Sequence, residues 1–136
     1  MIKIFKILFF LVFSFILING QAYSQENKIK IGLLIPLTGD NSKLGKQILN
    51  STRLAIKDIN SNQIEIYPKD TNSDPNKALQ SAIKLEQMGI NIVIGPVFYE
   101  NIIYLDEVKN ITFLSLTNKT INLPDNVIST GVNATS

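Results

Sequence analysis

The chain has 136 residues, 45% of them hydrophobic and enough for one domain with a proper core, and its formal net charge is +2. Without Lys3 and Lys6, which lie in a leader-like segment, 11 basic residues face 11 acidic ones, so no basic field exists to collect nucleic acid or anionic lipid. Cysteine and histidine are both absent, which excludes disulfides, thiolate chemistry, thiolate metal sites and a lipid-modified cysteine, and removes the commonest general base and metal ligand.

Residues 1–24 open with Lys3 and Lys6, pass through the apolar run 7–18 (ILFFLVFSFILI) and leave on polar residues. The run is shorter than the ~20 residues needed to span a bilayer and suits the core of a signal peptide. Ala22 and Ser24 place small residues at −3 and −1 of a cut before Gln25, so a cleavable signal peptide is expected over 1–24 and an extracytoplasmic mature protein after it. A retained membrane anchor or a buried helix is the alternative.

Residues 29–45 (IKIGLLIPLTGDNSKLG) organise the rest of the chain. Ile29, Ile31, Leu33, Leu34 and Ile35 are apolar on both alternating sets, as in a strand buried on both faces of a parallel sheet. Pro36 cannot donate to a ladder and stops it. Residues 38–42 (TGDNS) are turn chemistry, with glycine for positive φ and Asp and Asn for local caps. A helix is expected over 42–60, with Leu44, Ile48, Thr52, Ala55 and Ile59 as its apolar stripe. Residues 64–70 (IEIYPKD) read as a second strand, at an edge because Pro68 is tolerated there.

Asp74-Pro75 is an N-cap followed by proline at the first helical position, and Gly89 supplies a left-handed stop to the helix they begin. Residues 90–95 (INIVIG) form a third strand, then a short helix carries Ile102, Ile103, Leu105 and Val108. Residues 112–116 (TFLSL) and 127–131 (VISTG) complete five strands. Right-handed crossovers turn this order into a parallel sheet with both faces covered, a Rossmann-like three-layer α/β/α fold with strand order 2-1-3-4-5. An antiparallel α+β sheet would need hairpins, and no Asn-Gly or Asp-Gly turn joins adjacent strands.

Residues 39–47 (GDNSKLGKQ) come near a phosphate loop but miss it: five residues separate the glycines and Gln47, not Ser or Thr, follows Lys46. Asp40, Asp70 and Asp74 fall in loops or at a cap, where a metal site or an acid–base pair is conceivable but turn and cap roles explain them. Isoleucine, asparagine and lysine exceed a third of all residues, so lone Asn and Lys residues and the four N-x-[ST] sequons carry little weight. No clustered acid–base constellation replaces the missing Cys and His, so no enzyme, cofactor or metal is expected. What remains is three polar segments, each just past a strand: 37–42, 96–100 and 115–120. In a 2-1-3-4-5 sheet these meet at one lip, at the switch point between strands one and three.

Together with the D-T-x-x-D-P step at 70–75, VIGP at 93–96 and SLTN at 115–118, the 29–45 stretch resembles the type 1 periplasmic binding proteins. More narrowly it resembles the branched-chain amino-acid-binding branch of ABC-importer receptors, while IEIYPKDTNSDP resembles the penicillin-binding-protein activators as much. The resemblance implies two α/β lobes closing on a ligand by a hinge motion, of which residues 25–136 are the first and the second is absent. It implies an extracytoplasmic solute receptor in the periplasm, with a small solute such as an amino acid as ligand and ABC permease subunits as partners. The alternative it implies is an envelope protein that regulates a penicillin-binding protein.

The candidate ligand-binding residues are Thr38, Gly39 and Asn41 after the first strand, Val97, Phe98, Tyr99 and Glu100 after the third, and Ser115, Leu116 and Thr117 after the fourth. By resemblance Thr117 matches a carboxylate-binding threonine, while Tyr99 stands where the amino-acid receptors have a serine. Glu100 replaces a small polar neighbour, and a carboxylate there repels an anionic ligand end.

Overall fold

The computed structural model describes residues 28–131, so the expected signal peptide lies outside the described residues. β1 (Ile29–Ile35) is the centre of the assembly, because apolar residues on both its faces let it take neighbours and cover on all sides. It pairs in parallel with β2 (Ile64–Asp70) along its whole length and with β3 (Ile92–Ile94) on the other side. β4 (Thr112–Ser115) and β5 (Val127–Ser129) extend the sheet, giving the order β2-β1-β3-β4-β5 with all strands parallel. β2 is at the edge, where Pro68 lacks a donor at no cost to an interior ladder. The expected order and direction of the sheet are met.

Two long helices take opposite faces, because the chain moves away from β1 one way to reach β2 and then crosses back to reach β3. α2 (Pro75–Gln87) begins at Asp74, whose carboxylate accepts from the N–H of Lys77 at 2.7 Å. Its Ala78, Ala82 and Leu85 pack with Leu34, Val93, Phe113 and Val127 in the main core. α1 (Ser42–Ile59) lies over the other face. Its inward stripe differs from the expected one: Gly45 is buried and Ile48, Leu49, Thr52 and Ile56 are half-buried, whereas Leu44, Ala55 and Ile59 are exposed. Gly45 sets this rotation. A Cβ there would stand 1.8 Å from the Pro36 carbonyl oxygen, so the helix backbone rests directly on the end of β1. Cover on this face is uneven, and Ile92 and Ile128 remain 46% and 53% exposed.

The segment after β3 also departs from expectation. It forms two 3-10 turns, Tyr99–Ile102 and Leu105–Glu107, instead of one short α-helix. The buried residues Ile102, Leu105 and Val108 recur every three positions, which matches the three-residue turn of a 3-10 helix and leaves Ile103 exposed.

Candidate functional site

All three polar segments follow the carboxyl ends of β1, β3 and β4, adjacent strands of one parallel sheet, and so lie along one edge of it. β1 leads to a helix on one face and β3 to the 3-10 turns that pack with α2 on the other. That divergence is the switch point at which open α/β sheets hold their ligands.

The first segment is held by a side chain of the neighbouring strand. Register places Asp70 beside Ile35, where its carboxylate reaches under the loop. One oxygen accepts from the N–H groups of Leu37 (2.7 Å), Asn72 (2.9 Å) and Thr38 (3.1 Å). The other accepts from the Thr38 hydroxyl and the Lys77 ammonium, both at 2.5 Å. Burial alone would raise the Asp70 pKa. The Lys77 ammonium, the Thr38 hydroxyl and the backbone N–H groups of Asn72 and Leu37 outweigh it and hold the carboxyl well below the usual carboxylate range. Asn41 adds a bond from its amide to the Ser73 hydroxyl at 3.0 Å. The exposed residues Thr38, Gly39 and Asn41 thus belong to a loop clamped to β2 and the start of α2, and the hydroxyl proton of Thr38 is already committed.

The second and third segments are stitched together. Gly95 at the end of β3 has φ +107, and a Cβ there would meet the Leu34 carbonyl oxygen at 2.2 Å, so the chain passes close against β1. The Pro96 carbonyl accepts from the Ser115 hydroxyl at 2.9 Å and the Leu116 N–H at 3.0 Å. Ser115 is fully buried and its proton is used in this bond, so among the candidates it is a brace between strands. Thr117 is 6% exposed, and its hydroxyl accepts from the Lys119 N–H at 3.3 Å. That bond leaves the hydroxyl proton of Thr117 for a further acceptor. Val97, Phe98 and Tyr99 are half-buried and Glu100 is exposed.

Lys119 folds back so that its ammonium sits 4.1 Å from the centroid of the Tyr99 ring. A cavity of about 430 Å³ opens there, lined by Tyr99, Asn118, Lys119, Thr120, Ile121 and Asn122. A larger one, about 570 Å³, lies at the amino ends of β4 and β5, bounded by Ile111, Thr112 and Asn126, away from the carboxyl edge. Among the described residues no three carboxylates gather to hold a metal ion.

The structure therefore joins Tyr99 to the segment after β4 and joins Thr38 and Asn41 to the segment after β2. No hydrogen bond among the described residues links the first group to the second. Sequence reasoning missed two participants. Asp70 reads as a strand-end turn and is the clamp of the first loop, a role foreshadowed only by the D-T-x-x-D-P step. Lys119 has no local signal at all, because its partner is 20 positions away.

Such a rim offers hydroxyls, amides and backbone groups for holding a small molecule without covalent chemistry. Comparison with known proteins identifies the lobe. A family model described as periplasmic binding protein matches residues 28–131. The Leu/Ile/Val-binding protein homolog 1 of Brucella abortus is 34% identical over 83 residues, covering 57% of this chain and 22% of that protein. The branched-chain amino acid transporter substrate-binding protein LivJ from Streptococcus pneumoniae, in complex with isoleucine, superposes with a TM-score of 0.62 at 22% identity, over 74% of this chain and 32% of that one. The C-domain of LpoA from Haemophilus influenzae, a regulator of PBP1A, superposes with a TM-score of 0.58 at 26% identity, over 72% of this chain and 31% of that one. The chain spans about a quarter of the length of the curated relatives it matches. Its parallel five-stranded lobe, its carboxyl-edge rim and the family match over residues 28–131 make the chain a member of the periplasmic binding protein family.

Proposed function

We propose that residues 25–136 are the first lobe of an extracytoplasmic solute receptor of the branched-chain amino-acid type, delivering a small solute to an ABC permease, with residues 1–24 as its signal peptide. The observation that carries the reading is the rim itself: polar segments after β1, β3 and β4 share one sheet edge, with the spare hydroxyl proton of Thr117 on it. The kinship with a Leu/Ile/Val-binding protein homolog supports the amino-acid class. A thermal-shift screen of a full-length form carrying both lobes, with leucine, isoleucine and valine, tests it. Ligand at 100 times its Kd adds about 2.7 kcal/mol, which raises the midpoint. No rise with any amino acid would end the transport reading.

A second reading is favoured by one observation. Where the resemblance places small polar groups, this rim has the bulky Tyr99 and the exposed carboxylate of Glu100, and the LpoA C-domain is the more identical of the two structural relatives. On that reading the lobe regulates a penicillin-binding protein. Retention of the chain by an immobilised penicillin-binding protein, with no thermal response to amino acids, decides for it.

A further inference from the structure

We infer that the outer face of α1 is a membrane-docking surface, a row of four cations that takes the anionic headgroups of a phospholipid bilayer. The inference goes beyond the receptor reading and does not depend on which solute the rim holds.

Lys43, Lys46, Arg53 and Lys57 follow one another along α1 at steps of three, seven and four residues. At 3.6 residues per turn these steps keep all four within about 80° of the helix circumference, in a row about 21 Å long. All four are exposed, and the ion pairs among the described residues do not include them. No acidic residue stands on the helix before Asp58. The balance of 11 basic and 11 acidic residues beyond the leader argues against a general basic field, but it conceals this local segregation. Glu100, Asp106 and Glu107 lie on the 3-10 turns that pack with α2, on the opposite face of the sheet. With α1 against an anionic surface, those acids stay in the far layer.

The start of α1 breaks the rules that α2 obeys. α2 has a side-chain cap at Asp74 and a proline in its first turn. α1 has no side-chain cap bond and no acid in its first turn, and it sets Lys43 and Lys46 near the positive end of the helix dipole. Two cations there weaken the helix, and both are exposed, so packing gives nothing in return. A local rule broken without a structural gain marks a functional surface.

The shape of the surface selects the partner. Leu54 is about two and a half turns from the buried Gly45, which puts it on the outermost line of the helix. It is 61% exposed beside the row of cations. An apolar tip among long basic side chains suits the headgroup boundary of a bilayer, where the leucine enters and the cations reach phosphate oxygens. Lipids diffuse laterally and gather under separate charges, so a straight row on a convex helix fits a bilayer better than the fixed acids of a folded protein.

The test is co-sedimentation of a full-length form carrying both lobes, its leader removed, with two kinds of vesicle. One is phosphatidylcholine alone, and the other is equal parts of phosphatidylcholine and phosphatidylglycerol. Binding to the anionic vesicles only, lost as salt is raised, is expected. Lys46→Gln and Arg53→Gln should each weaken it by about fivefold. Lys84→Gln, which removes an exposed cation from α2 in the opposite layer, should leave it unchanged. Lys43→Gln combined with Lys46→Gln should weaken binding without lowering the thermal midpoint, because both changes relieve the helix dipole. Equal binding to neutral vesicles, binding to neither, or an equal loss in Lys84→Gln overturns the inference. A thermal midpoint that falls in the double variant along with binding makes the lysines part of the fold and overturns it too. Retention on immobilised polyglutamate as strong as on the anionic vesicles would assign the row to an acidic protein and overturn the lipid assignment.

Discussion

Replacing Asp70 by alanine should unlock the first rim loop. The wild-type carboxylate is 20% exposed and receives three backbone N–H groups, a hydroxyl and an ammonium. Lys77 is 44% exposed, so the ion pair itself contributes less than about 1 kcal/mol. Thr38 and Asn72 are exposed and regain water for their N–H groups, whereas Leu37 is only half-exposed and loses more with its bond. Hydrogen bonds to a charged group contribute about 1.5–3 kcal/mol each before such discounts, so we expect a net loss of about 2–3 kcal/mol. For a domain near 100 residues this lowers Tm by roughly 10–20 °C at pH 7.

The pH dependence fixes the mechanism. The folded pKa of Asp70 lies below its ordinary value of 3.8, so its contribution is complete well above pH 4 and declines as pH falls below that value. At pH 3 the gap between wild type and Asp70→Ala should narrow by about 1 kcal/mol. Thermal unfolding followed by circular dichroism at the two pH values measures both quantities. A variant within about 2 °C of wild type at pH 7, or a gap that does not narrow at pH 3, refutes the clamp.

Gly45→Ala should destabilise by about 1–3 kcal/mol, read from urea unfolding, because the new methyl meets the Pro36 carbonyl and α1 must lift from β1; an unchanged midpoint would remove Gly45 as the pivot of that helix. Asp74→Ala should cost about 1 kcal/mol through loss of the cap on Lys77, with Asp74→Ser recovering most of it, and equal losses in both variants would contradict a capping role. Asn101 is 1% exposed and neither atom of its side-chain amide has a partner among the described residues, so Asn101→Leu should raise stability by about 1–2 kcal/mol; a fall in Tm would show that the amide is satisfied. Thr117→Ala should weaken solute binding by about fivefold or more through loss of the hydroxyl proton, while Thr117→Ser retains it; equal affinity in the alanine variant would displace the site.

The sheet was legible because each strand declares itself locally. β1 is apolar on both sets, Pro68 marks an edge, and Asp74-Pro75 announces a helix start, so order and direction follow from chain connectivity. The details that were not legible depend on contacts between distant residues. Leu44 and Ile59 fit an apolar stripe as well as Leu49 and Ile56 do, and only the seat of Gly45 on Pro36 chooses between them. The three-residue spacing of Ile102, Leu105 and Val108 was in plain view, but isoleucine-rich sequence offers Ile103 as an equal partner and favours an α-helical reading.

At the site the same limit applies. Placing the three segments on one edge needed only the topology. Seeing Asp70 under the Leu37 and Thr38 N–H groups needed the β1–β2 register, and seeing Lys119 over Tyr99 needed the path of two loops. Ser115 was a reasonable ligand candidate by position, yet its depth and its bond to the Pro96 carbonyl make it a brace.

Hydrogen–deuterium exchange of a full-length form carrying both lobes, with and without saturating isoleucine, tests most directly whether the three segments act as one binding rim. Concerted protection across residues 37–42, 96–100 and 115–120 is the predicted pattern. Protection limited to the amino-end cavity around Thr112 and Asn126, or none anywhere, would contradict it.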